Sequence, residues 1–264
     1  MGRIIIRQFR GTETARNRFV NSVTRVLDTI RQSRTGRILL EHIEATPYPV
    51  LIYPFFGEGP NATANSPTWE RSGTTDVNNH ARGERTEIEF HPTRSAGPGA
   101  GGSNHETLFH ELAHAYRYST GTGRYNRNAA NTLMIQPFGS GFENIEELFA
   151  ITITNIYSSE LRLSLRSNHG TGVLTDIRLM HTRVFREQYR IMYRRMPQPF
   201  IRALSNLRKE ITPFNPFIDI RLNQDVPFFD RSTYVGPAQN YVRRGILISA
   251  EEAFMEYDWQ QFNR

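Results

Sequence analysis

The chain has 264 residues, 38% hydrophobic and including 17 phenylalanines, enough to bury a sizeable core as one large domain or two small ones. No apolar run approaches transmembrane length, and the apolar segment within Met1–Arg7 is too short for a secretory signal. Cysteine is absent, so any metal must be held by nitrogen and oxygen, and the net charge of +6 comes from arginines spread along the chain as solvated faces, not gathered into a nucleic-acid stripe.

From residue 12 to 46 the apolar positions Phe19, Val20, Val23, Val26, Leu27 and Ile30 carry a helical period, broken near Ser33–Gly36 and resumed through Ile38, Leu39, Leu40 and Ile43. Pro47 and Pro49 end it, and Val50–Tyr53 then reads as a buried strand. From Gly57 to Gly83 the composition turns to Gly, Asn, Pro, Ser and Thr, as in a long loop or flap. Thr86–Phe90 alternates apolar with charged side chains and is stopped by Pro92, the pattern of a half-exposed edge strand. Such an edge can accept an extended peptide as a further strand.

The breaker run Gly97–Gly102 leads into Ser103, and Glu106 three residues later completes a capping box for the helix that follows. This helix reads SNHETLFHELAHAYRYSTG and ends at Gly121 and Gly123. Leu108, Phe109, Leu112, Ala113 and Tyr116 give it an apolar face to bury. His110 and His114 stand one turn apart on one side, where two imidazoles can hold one metal ion. Glu111 beside them can take a proton from an attacking water, which is the use of His-Glu-x-x-His in zinc hydrolases. The competing reading is two core histidines satisfied by hydrogen bonds.

A catalytic zinc takes three protein ligands and keeps one position open. A second capping box, Ser140 to Glu143, opens a helix reading FENIEELFAITITNIYSS, on which Glu147, Ala150, Ile151 and Thr154 share a face. The small Ala150 lets this helix lie close to the metal helix, so Glu147 is the expected third ligand, with Glu146 next and Glu143 at the frayed cap. Tyr157 and His169 are candidate donors to the oxyanion of a tetrahedral intermediate, outside the assigned set. His42, His80, His91, His105 and His181 lie at no metal-like spacing. Residues 176 to 211 are helical and Arg-rich, broken at Pro197 and Pro199. Proline-punctuated loops run from Pro213 to Pro237, and Ala250 to Phe262 reads as a closing amphipathic helix.

The blocks LFHELAHAYRYSTG and NIEELFAITITNIYSSELRLSLRSNHG resemble the NleD-like effector metallopeptidases of bacterial pathogens and related toxin domains, over roughly residues 36 to 170. The resemblance implies a zincin-like fold, one zinc ion and endopeptidase action on proteins of the recipient cell. It implies that His110 and His114 are ligands, Glu111 the general base and a Glu of Glu146–Glu147 the third ligand; Glu147-x-x-Ala150 is similar to the Glu-x-x-Ala of other gluzincins. Delivery by a bacterial secretion system, without a cleaved signal peptide, into the recipient cytosol follows from the same likeness. Of 32 basic residues only Lys209 is lysine. Composition bias is one reading of that; selection against ubiquitination after delivery is the other.

The expectation is therefore an α+β, mainly helical zincin-like fold with a small edge-exposed sheet. It divides into a catalytic domain over 1–175 and a helical C-terminal extension over 176–264 packed on it. The function expected is that of a monomeric zinc endopeptidase acting on a host signalling protein, with no nucleic-acid or membrane partner. The alternatives are an antibacterial toxin with the same chemistry and a non-catalytic binding module in which zinc staples two helices.

Overall fold

The first helix starts where Thr12 accepts a hydrogen bond from the Ala15 N–H at 3.2 Å. Helix α1 (Glu13–Gln32) then buries Phe19, Val23, Leu27 and Ile30, one stripe at helical spacing. Ser33 closes this helix and opens α2 (Arg34–Ala45): its N–H donates to the Ile30 carbonyl, and its hydroxyl accepts the Gly36 N–H at 2.8 Å. A Cβ on Gly36 would lie 1.9 Å from the Ile30 carbonyl oxygen, so the corner between α1 and α2 requires glycine.

The structure, a computed structural model, describes residues 3–7, 9–57, 62–65, 83–95, 97, 99–122, 145–167, 172–174, 189–190, 192–194, 196–222, 241–243 and 246–248. It is a mixed α+β architecture around a four-stranded sheet. The strands β1 (Ile4–Ile6), β2 (Val50–Pro54), β3 (Ala62–Asn65) and β4 (Thr86–Phe90) lie in the order β1-β2-β4-β3. β1, β2 and β4 are parallel, with Ile52 level with Ile6 and Ile88; β3 runs antiparallel to β4, with Ala64 opposite Ile88.

The edge strand next to the metal helix is thus β3, and the expectation that Thr86–Phe90 forms that edge is corrected. β4 is an interior strand with neighbours on both sides. Its alternation is real, since Thr86, Ile88 and Phe90 are buried and Glu89 is exposed. Alternation reports that one face is packed, however, and says nothing about how many strands lie alongside. β3 comes instead from the stretch read as loop.

Helix α3 (Asn104–Ser119) packs against α1, α2, β3 and β4, and α4 (Ile145–Glu160) packs along α3 and α2. Leu108, Phe109, Leu112, Ala113, Ala115 and Tyr116 on α3 are buried in the main apolar cluster with Leu148, Ile151 and Ile156 from α4. Glu160 at the end of α4 accepts the Arg34 and Thr35 N–H groups at 2.6 and 2.8 Å, setting a carboxylate on the N-terminus of α2.

Helix α5 (Gln198–Ser205) begins at its prolines where a break was expected, because a proline in the first turn lacks only an N–H that has no helical partner there. Helix α6 (Pro216–Arg221), within the expected loop region, repeats this with Pro216, and the Asn215 side chain accepts the Phe217 N–H at 3.2 Å. Phe200, Ile201, Leu204, Phe214 and Phe217 join the same apolar cluster as α3 and α4. β5 (Tyr241–Arg243) and β6 (Ile246–Ile248) pair antiparallel. The expected closing helix over Ala250–Phe262 lies outside the described residues.

Candidate metal and catalytic site

The capping box expected at the start of α3 is present. Ser103 Oγ accepts the Glu106 N–H at 3.3 Å, and Glu106 Oε2 accepts the Ser103 N–H at 3.4 Å. The other carboxylate oxygen of Glu106 accepts from Ser158 Oγ at 2.8 Å, tying the cap of α3 to α4. The second expected box, Ser140 to Glu143, lies outside the described residues, as does His169.

Two turns into α3, His110 and His114 come side by side with Nε2 atoms 3.2 Å apart. Glu147, in the first turn of α4, reaches both: Oε2 lies 3.3 Å from His110 Nε2 and Oε1 3.4 Å from His114 Nε2. Among the described residues these three form a group able to hold a metal ion. The donor set fits such an ion. A tetrahedral centre with bonds of about 2.0–2.1 Å separates its ligand atoms by about 3.3 Å, close to the 3.2 Å between the two Nε2 atoms and the 3.3 Å from His110 Nε2 to Glu147 Oε2. All three side chains are largely enclosed, at 4%, 6% and 15% exposure, so an ion there would lose most of its water.

The far nitrogens of the two rings meet different groups. His114 Nδ1 lies 3.5 Å from Glu146 Oε1, and Arg117 Nε donates to that same oxygen at 2.6 Å. Arg117 is almost completely buried, donates also to the Thr122 carbonyl at 2.8 Å, and stacks its guanidinium over the Phe149 ring at 4.1 Å. His110 Nδ1 faces Arg166 Nη1 at 3.2 Å. The protonation follows. Burial first, then the charges of His114 and Arg166, hold His110 down at about 3, against the pull of Glu147. Burial also lowers His114, but Glu147, Glu146 and Glu111 together raise it well above the ordinary histidine range. Burial would raise the Glu146 carboxyl; the charge of Arg117 and the hydrogen bonds from His114 and Arg117 outweigh it and keep it at about 2.

Glu111 stands beside this group, its Oε2 accepting the Ala64 N–H of β3 at 2.6 Å. The edge strand therefore borders the site directly. Tyr157 lies elsewhere: its hydroxyl bonds His105 Nδ1 at 2.9 Å and its ring stacks on Phe109 at 4.2 Å. His42, one of the histidines read as ordinary, bonds the Ile38 carbonyl at 2.7 Å. Three residues near the group escaped the sequence reading: Arg117, Tyr118 and Arg166. Tyr118 stacks on the His114 ring, its phenol raised by burial and by Glu146, Glu147 and Glu111. Its place one turn after His114 was a usable signal. Arg166 had none, being one arginine among 31.

Residues 8–138 match the sequence model of peptidase family M91, described as an effector protein. The chain belongs to the NleD-like effector peptidases. The matched stretch includes His110, Glu111 and His114 and stops short of Glu147, so the family covers the motif helix while α4 is located by the structure alone. Comparison with curated proteins and with solved structures finds no match. As an effector peptidase it has a protein substrate, and no helix among the described residues is long and apolar enough to cross a membrane.

Proposed function

We propose that this NleD-like chain is a zinc endopeptidase of the gluzincin type, with a zincin-like catalytic domain over 1–175 and the 176–264 region packed on it. The observation that carries the reading is the convergence of His110 Nε2 and His114 Nε2, 3.2 Å apart, on the Glu147 carboxylate, whose Oε2 lies 3.3 Å from the first and Oε1 3.4 Å from the second, with the Glu111 carboxylate alongside. One zinc ion held by these side chains would lower the pKa of a water to about 7 and polarise a peptide carbonyl. Glu111 then accepts the proton of the attacking water and hands it to the leaving amine as the C–N bond breaks. The outer edge of β3 is the place for an extended substrate to pair, since the Ala64 N–H already points at Glu111. Action as a monomer in the cytosol of a recipient cell, on a host signalling protein, completes the proposal and fits both the effector family and the near absence of lysine.

The test is to map new protein N-termini by mass spectrometry in eukaryotic and in bacterial extract, comparing the wild-type chain with Glu111→Gln and His110→Ala. Glu111→Gln is expected to keep stoichiometric zinc and lose cleavage by at least about a thousandfold. His110→Ala is expected to lose the metal. Undiminished cleavage by Glu111→Gln would end the peptidase assignment of that residue, and full zinc in His110→Ala would end the ligand assignment.

A further inference from the structure

Arg166 is a buried cation for which the reaction as described has no use. Placing a guanidinium out of water is costly unless charges and hydrogen bonds compensate it. Here three parts of the fold converge to deliver one. The Asn155 side chain clasps the Arg166 backbone from both sides, its Oδ1 accepting the Arg166 N–H at 2.8 Å and its Nδ2 donating to the Arg166 carbonyl at 2.9 Å. Asn155 lies on α4, two turns after Glu147, so the clasp fixes Arg166 to the helix that completes the metal group. The strand-like pairing of Arg166 with Val173 holds the segment from its other side. Gly101, with φ +73°, then supplies the floor for the side chain: a Cβ there would stand 2.5 Å from Arg166 Cδ. The stem crosses this glycine and ends with Nη1 against His110, in the field of Glu147, Glu111 and Glu106.

The proton count on His110 shows what the guanidinium is not. A neutral imidazole that ligates through Nε2 carries its one proton on Nδ1, and Nδ1 then has no lone pair to accept from Arg166. The usual orienting partner at that nitrogen is a carboxylate or carbonyl, and at His114 a carboxylate, Glu146, stands 3.5 Å from it. Ligation by His110 therefore releases an Arg166 N–H, one imidazole ring away from the point where the three donor atoms converge.

We propose that Arg166 is the oxyanion-stabilising residue of this site, donating to the carbonyl oxygen on which negative charge develops when water adds to the peptide carbon. This rests on the peptidase reading above. In the addition step the water oxygen bonds to the carbonyl carbon, the carbonyl π pair moves to its oxygen, and the water proton goes to Glu111. In the collapse the pair returns, the C–N bond breaks, and the proton passes to the amine. Arg166 opposes the charge on the oxygen through both steps and gives up no proton.

The test loads the full-length chain with Co(II), whose visible absorption reports the ligand field, and titrates inorganic phosphate as a tetrahedral oxyanion. Wild type is compared with Arg166→Met and Arg166→Lys. Expected for Arg166→Met is unchanged Co(II) affinity, phosphate binding weakened about 10- to 100-fold, and Glu111-dependent cleavage slowed about 100- to 1,000-fold. Arg166→Lys, which keeps the charge but not the planar fork, is expected to fall between. If Arg166→Met does not fold, Arg166→Lys decides alone, with phosphate binding at least about threefold weaker. Phosphate affinity equal to wild type in these variants overturns the proposal, and so does a wild-type cobalt protein that takes up no phosphate. A loss of Co(II) affinity in parallel with phosphate also overturns it, since Arg166 would then act only by positioning His110. If the wild-type chain itself takes up no Co(II), the metallopeptidase reading fails, and this inference with it.

Discussion

His110 and His114 stand one turn apart on the same buried helix, yet their outer nitrogens face opposite charges. Behind His114 is a carboxylate, Glu146, itself held by a buried arginine. Behind His110 is an arginine with no carboxylate between. The first arrangement orients a ring: the Glu146 carboxylate, 3.5 Å from Nδ1, favours the tautomer that keeps its proton on Nδ1 and leaves Nε2 for a metal, and Arg117 keeps Glu146 ionised for that purpose. The second cannot serve the same end, because a guanidinium offers donors to a nitrogen that has to be a donor itself. One side of the group is thus built for holding and the other for acting. Two buried arginines can have unrelated roles, decided by what lies between each and the nearest imidazole.

The largest effect that tests this comparison is expected from Arg117→Met. It leaves Glu146 buried beside His114 without its cation, which costs about 3–5 kcal/mol for a broken buried pair. In a chain of this size that is a fall in Tm of roughly 10 °C, read by thermal unfolding, and zinc affinity should fall with it. Arg166→Met, at the other imidazole, should leave zinc affinity in place; equal losses from both would erase the distinction. Next in size is an acid dependence of the metal-free protein. Glu146 titrates at about 2 in the folded chain against an ordinary 4.5, so the unfolded state binds its proton first as pH falls. The stability it contributes is complete above about 4.5 and lost by about 2, on the order of 3 kcal/mol. Urea unfolding of metal-free protein across this window should show the loss, and Glu146→Gln should flatten it. An unchanged acid limb in that variant would mean that other carboxylates govern it.

Much of the holding side was legible from residue types. His110, Glu111 and His114 share a helix because of their spacing, and the Ser103–Glu106 box announced where that helix begins. Glu147 was placed by the face it shares with Ala150 and Thr154, although the whole run from Leu148 to Ser159 is buried and that face is not distinguished by burial. The acting side could not be read. Arg166 reaches the site through a clasp from Asn155 and a passage over Gly101, contacts made between segments 11 and 65 residues apart that leave no periodic trace. Gly101 looked like one breaker among several, and its further role appears only once a side chain is seen crossing it. The edge strand failed for a related reason. Ala62–Asn65 lacks the β-branched alternation that marks a strand, and it owes its conformation to pairing with β4. Pro197, Pro199 and Pro216 show the opposite error, since the same residue that breaks a helix in its interior starts one in its first turn.

The smallest effect is the most selective. Asn155→Ala removes both hydrogen bonds that clasp the Arg166 backbone and leaves a buried N–H and C=O to find other partners, at a cost of about 2 kcal/mol. Glu147 lies two turns away on the same helix, and the apolar contacts of Leu148, Ile151 and Ile156 hold that helix independently of the clasp. The expected outcome is faster amide exchange at 165–167 and weakened phosphate binding in the cobalt protein, with zinc affinity preserved. Both sides of the group hang on α4, so a rigid-body shift of that helix would instead reduce zinc and phosphate binding together. Selective loss of the anion would show that α4 supports the two functions through separate attachments, Glu147 by its packing and Arg166 by one amide side chain.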